Sequence, residues 1–182
     1  RFFITYFFGL NSLAPYIAGF TLAGIVTFFH HTISFMLFPE LSKKWAKKNK
    51  TSIINLMKKV ITGYLALTIP YLVFIGVVGV DVLLVLTTND YFISPLTLFL
   101  ISFNMAIFGL WQFAHYIVLL GRGSSSAPKM MVIVTGINIS FNALLVPKYG
   151  LLGAALAGFL SNTLLTLIAY IMSQKILKWD FP

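Results

Sequence analysis

The sequence predicts an all-α protein, a polytopic transmembrane helical bundle with five whole spans and the end of a sixth. Three observations carry this expectation. Of 182 residues, 59% are hydrophobic and the mean hydropathy is +0.93. Only 9% are charged, against about 25% in an ordinary soluble domain. The charges are also clustered, so that long uncharged runs remain. The runs reach or exceed the roughly 20 apolar residues a helix needs to cross a hydrocarbon core about 30 Å thick, and the first, 2–39, is too long for one span.

The charge is lopsided, with 13 Lys and Arg against 4 Asp and Glu, a formal +9. Seven of the 13 basic residues lie between Lys43 and Lys59, bounded by apolar runs. Basic residues are not interleaved with aromatics as in a base-stacking surface, so no nucleic-acid partner is expected. Lysines beside a span instead set orientation and meet anionic membrane lipids. Cysteine is absent, which excludes a disulfide framework and thiolate metal sites. No metal and no cofactor is expected. The sequence opens at Arg1, without an initiator Met or a signal-peptide pattern, and reads as part of a longer chain cut at its front.

In order, Phe2 to Gly9 reads as the outer end of a helix. Asn11, Ser12 and Pro15 supply a turn and helix start, so the first whole span is 13–38, stopped by Pro39. Segment 40–59 is polar, with Trp45 among lysines suited to the headgroup zone. Part of it reads as an interfacial helix turning Leu41, Trp45, Ile53 and Leu56 to lipid. The second span is 60–80, kinked at Pro70, and a loop at 81–91 carries the turn signal Asn89-Asp90. Ser94-Pro95 is an N-cap with proline at the first helical position, opening a third span to about Leu120. A flexible connection at 121–129 precedes the fourth span, 130–146. A tight turn at 147–150 leads to the fifth, 151–173, and the tail leaves the membrane.

Loops 40–59 and 121–129 and the tail hold 11 basic residues, whereas the two intervening loops hold only Lys148. The former are therefore expected to be cytoplasmic in a multi-pass protein of the cell membrane. The alternation requires five whole spans.

Polar side chains inside spans are costly and call for partners or a wet cavity. They are His30 and His31 in the first span, Asn104, Gln112 and His115 in the third, Asn138 and Asn142 in the fourth, and Asn162 in the fifth. Asn138 and Asn142, four apart, share a helix face. Two readings stay open: interhelical hydrogen-bond glue, or a polar cavity wall, with Asn104, Gln112, Asn138 and Asn142 on a substrate path. The three histidines are candidates for a proton-linked role, since His titrates near neutral pH. Small residues recur by four at Gly150, Ala154 and Gly158, and at Gly153, Ala157 and Ser161, a pattern that lets a neighbouring helix approach closely. No nucleophile motif, paired carboxylates or phosphate-cradling loop is present, so no enzyme is expected.

Asn142, Pro147, Tyr149, Gly150, Gly153, Ala154 and Ala155, the run FMLFPELSKKW at 35–45, and Arg1 with FFITYFFGL occur in a family-like order. Over essentially the whole chain the pattern resembles the polysaccharide and oligosaccharide-lipid flippases of the multidrug/oligosaccharidyl-lipid/polysaccharide exporter superfamily. The resemblance implies most of the second half of such a transporter, residues 1–182 being its C-terminal helical bundle and the N-terminal half its partner. It implies alternating-access export of a lipid-linked sugar for cell-surface polysaccharide biosynthesis. It also implies a substrate-path role for Arg1, matching a position where the family's basic residues meet pyrophosphate. A multidrug exporter of the same superfamily is the alternative, although no acidic residue sits mid-span. A multi-span glycosyltransferase or polymerase would need long external loops with catalytic acids. A membrane scaffold would not need polar residues at mid-depth.

Overall fold

The computed structural model describes residues 2–123 and 125–179, and all regular structure among them is helical. The elements are α1 (Phe2–Ala23), α2 (Ile25–Ala46), α3 (Lys50–Leu86), a 3-10 turn (Asn89–Tyr91), α4 (Pro95–Arg122) and α5 (Ser126–Gln174).

By length and composition α3, α4 and α5 are each able to cross a membrane, and the pair α1–α2, bent by 42°, makes up to four. This is fewer than the five whole spans and partial sixth expected, and two glycines account for the difference. Gly150 adopts φ 58°, ψ −130° inside α5, a conformation that L side chains avoid. Beyond it the chain doubles back: Asn138 and Ser161, 23 residues apart, are hydrogen-bonded at 3.1 Å, whereas a straight helix would hold them about 35 Å apart. The expected spans 130–146 and 151–173 are thus two antiparallel arms of α5. Gly9 (φ 77°, ψ 175°) likewise interrupts α1 and separates Phe2–Phe8, the expected partial span, from the remainder of that helix.

Other boundaries also move. Pro15 and Pro39 lie inside α1 and α2, so neither starts nor stops a helix. The long first span runs from beyond Gly9 to Ala46, bent at Gly24. Polar side chains patch that bend: Tyr71 Oη donates to Leu22 O at 2.8 Å and Thr27 Oγ1 to Gly24 O at 2.6 Å. Such repairs are what a broken helix needs where water is scarce. No separate interfacial helix forms in 40–59. Leu41 and Ile53 are fully or almost fully buried, packed with Ile117 and Trp111 rather than turned to lipid. Lys48, at φ 52°, makes the tight turn between α2 and α3. α3 runs through Pro70 and Asp81 to Leu86; its 37 residues extend about 55 Å, well past the bilayer core. The connection expected over 121–129 is shorter, since α4 ends at Arg122 and α5 begins at Ser126.

Ser94 caps α4 as expected, its Oγ accepting from Thr97 N at 3.3 Å, with Pro95 in the first turn. Asn89-Asp90 forms the turn before it.

Two apolar clusters divide the bundle along its length. One joins Ile4, Tyr16, Ile75, Leu83, Leu98, Val146 and Ala154. The other joins Leu41, Met57, Ile117, Met130, Leu165 and Trp179. Past Gln174 the tail packs against this end of the bundle: Trp179 is 2% exposed and its Nε1 donates to Ser173 Oγ at 3.1 Å. At this second end the turn residues Lys48 and Lys50 share a groove with Ile176 and Leu177, and Arg122 and Lys129 share another with Met172.

Candidate functional site

Polar residues at mid-depth fall into two groups. The first lies where α4 meets the two arms of α5. Asn162 Nδ2 donates to Asn104 Oδ1 at 2.9 Å, and Thr166 Oγ1 donates to Ile107 O at 3.2 Å. Asn138 Nδ2 donates to Ser161 Oγ at 3.1 Å and to Ala157 O at 3.4 Å. Asn142 Nδ2 donates to Asn138 O at 2.8 Å and Oδ1 at 3.0 Å, so the shared face is realised as a local bond. The amide groups thereby link three helical segments, donating to one another, to the Ser161 hydroxyl and to backbone carbonyls.

The small residues make this approach possible. A side chain at Gly158 would come 3.1 Å from Asn104 Nδ2, and one at Gly153 would strike the Leu145 carbonyl of the facing arm. Ala154 and Ala157 are buried. The two stripes therefore serve two neighbours: Gly158 faces α4, while Gly153, Ala157 and Ser161 face the first arm of α5. Gly150 acts as the reversal point.

The second group lies between α2 and α4. His30 is 1% exposed whereas His31 is exposed, and their rings are 4.4 Å apart. This is the divergence adjacent helical residues must show. His115 is buried and stacks on Trp111 at 5.2 Å. Gln112 Nε2 donates to Tyr116 Oη at 2.9 Å. Ser34, Trp111 and Tyr116 were not singled out from the sequence, and Ser161 only as a small residue that lets a helix approach. The signal that would have found these three is the four-residue step, since Ser34 lies one turn beyond His30, Trp111 one turn before His115 and Tyr116 one turn beyond Gln112. Arg1 lies outside the described residues. Among those described, no group of three or more His, Cys, Asp or Glu is placed to hold a metal ion.

Long apolar helices joined by part-buried amide hydrogen bonds are the architecture of a multi-pass membrane protein. A family model described as "Lipid II flippase MurJ" matches residues 3–182, and the chain belongs to that family. It is a family of flippases, not of catalytic enzymes, and a member of the superfamily that the sequence resembled. An uncharacterized membrane protein of Methanocaldococcus jannaschii is 26% identical over 180 residues. That alignment covers 98% of this chain but 35% of the relative, so the chain spans about a third of that protein's length. No solved structure matches.

Proposed function

We propose that this chain is the C-terminal helical bundle of a flippase that moves a lipid-linked sugar precursor, of the lipid II or polysaccharide-precursor class, across the cell membrane. The observation that carries the reading is the flippase-family match over residues 3–182. The amide network at the α4–α5 junction supports it, because it makes a tightly keyed wall of a kind that rocks as a body in alternating access. The N-terminal half of the protein supplies the opposite wall. Asn104, Gln112, Asn138 and Asn142, with Arg1, border the substrate path, and the histidines are the groups available to couple a proton.

Each arm of α5 crosses the membrane, giving the five whole spans that the charge alternation requires. The end carrying the 40–59 segment, Arg122, Lys129 and Lys175 faces the cytoplasm, since those cations gather at one end of the bundle and Lys148 at the other. The chain has no cysteine, so single cysteines report sidedness directly. Lys47→Cys is expected to label from the inside only and Lys148→Cys from the outside only. Labelling of both from one side would refute the topology. The transport reading is tested by reconstituting the full chain in vesicles with a fluorescent polyprenyl-linked oligosaccharide. Protein-dependent movement between leaflets is expected, and its absence would refute the assignment.

A further inference from the structure

The polar atoms at the α4–α5 junction are largely paired, but those between α2 and α4 are not. Neither ring nitrogen of His30 has a partner, nor do Ser34 Oγ, Trp111 Nε1, Gln112 Oε1 and His115 Nδ1. His30 and Ser34 stand one turn apart on α2, and Trp111 and His115 one turn apart on α4. The two stripes face each other, with the His30 ring 6.1 Å from that of Phe108. An unpaired buried polar atom is unfavourable, and native structures rarely retain several together without something to bind.

The seam opens at Ser34. This residue is 6% exposed and, with His31, Phe35, Phe38 and Tyr116, lines a pocket of about 460 Å³. Gln112, one turn before Tyr116 and outside the pocket lining, donates one amide N–H to the phenol, and its buried carbonyl oxygen has no partner.

We propose that this α2–α4 pocket is a subsite for the hydroxyl groups of a neutral sugar ring. The inference rests on the flippase reading and specifies where its substrate's head is held. No Asp, Glu, Lys or Arg lines the pocket, so an ion would find no countercharge there. The polar groups that line it are a hydroxyl at Ser34, a phenol at Tyr116 and an imidazole at His31. That mixture matches hydroxyls, which both donate and accept. Phe35, Phe38 and Tyr116 offer aromatic surface for the C–H face of the ring. Concave, mostly apolar sites with a few placed polar groups are the usual form of small-molecule pockets.

The test uses the full chain in lipid nanodiscs and saturation-transfer NMR with two probes, methyl glucoside and methoxycyclohexane, which lacks the ring hydroxyls. Transfer to the glucoside alone is expected. Binding should weaken about ten-fold in Ser34→Ala, the effect of roughly one good hydrogen bond, and at least as much in Ser34→Ala/Tyr116→Phe. Ser34→Ala alone serves if the double variant does not fold. It removes an unpaired hydroxyl from the empty protein, so its thermal midpoint should not fall. Equal transfer to both probes, no transfer to the glucoside, or wild-type binding in the variants would each overturn the proposal. A protein that flips a lipid-linked sugar yet binds no glucoside overturns this subsite and leaves the flippase reading standing. Glucoside binding lost in the variants, in a protein that flips no such lipid, supports the subsite and refutes that reading.

Discussion

Gly109 sits where α2, α3 and α4 converge, and replacing it by alanine tests that packing. A Cβ there would fall on the Tyr64 hydroxyl, 2.8 Å from Tyr64 Cζ and 3.0 Å from His30 Cβ. Tyr64 cannot swing aside. It is fully buried, its ring packs edge-on against Phe113 at 5.2 Å, and its hydroxyl donates to Ala106 O at 2.8 Å. Overpacking a tight core costs about 1–3 kcal/mol. Displacing the hydroxyl adds the hydrogen bond, about 0.6 kcal/mol on average between membrane helices and up to ~1.7. Gly109→Ala is therefore expected to destabilise by about 2–4 kcal/mol, roughly 30- to 1,000-fold in the folding equilibrium. Reversible unfolding in mixed detergent micelles measures this directly. Tyr64→Phe alone should cost only the hydrogen bond, and adding it to Gly109→Ala removes the oxygen that the new methyl meets. The double variant should then be more stable than the sum of the single effects by about 1 kcal/mol or more. A Gly109→Ala protein within ~0.5 kcal/mol of wild type, or a strictly additive cycle, would refute the reasoning.

The same geometry sets three further outcomes. Gly150→Ala should cost about 1–3 kcal/mol through its backbone conformation, read by the same unfolding assay, because only Phe8 Cζ at 3.8 Å lies near the added methyl. Asn138→Leu with Asn142→Leu should lower transport in the vesicle assay while the protein still inserts, and unchanged transport would remove both residues from the path. Trp179→Ala should cost about 3–5 kcal/mol, as large buried aromatics do, and expose the tail to protease.

Much of the fold was legible because the composition leaves few alternatives. The apolar fraction and charge clustering force helices, and Ser94-Pro95 and Asn89-Asp90 act locally, so their effects do not depend on distant partners. Pro15 and Pro39 misled for the opposite reason. A proline costs a helix one hydrogen bond and some room, and surrounding segments decide whether the chain continues through it. Leu41 and Ile53 show a second limit. A stripe facing lipid and a stripe facing another helix have the same period, and only the return of α3 onto α2 buries these two. The sequence placed Asn138 and Asn142 on one face, but Ser161 as their partner depends on the register that Gly150 imposes on the two arms. Ser34 went unread because a lone serine in a span is ordinarily satisfied by its own helix, as Ser102 is by Leu98 O.

The contrast between the two polar groups separates the contacts that hold the bundle from the pocket it is able to fill. At the α4–α5 junction Asn138, Asn142 and Asn162 each donate within the fold, so a substrate reaching Asn138 or Asn162 would first have to break a bond that holds the arms of α5 to each other or to α4. Between α2 and α4 no such exchange is needed, because Ser34 Oγ has no internal partner to give up. A hydroxyl arriving there gains its hydrogen bonds without a structural loss. The rigid amide wall and the open seam share α4, which supplies Asn104 to the one and Tyr116 to the other. Any rotation of α4 on substrate binding at the seam is therefore passed through Asn104 and Asn162 to the second arm of α5. The Asn104–Asn162 bond is the place to look for coupling: Asn162→Leu should leave glucoside binding intact while slowing movement of the lipid-linked sugar. Transport at the wild-type rate in that variant would show that α4 and α5 move independently.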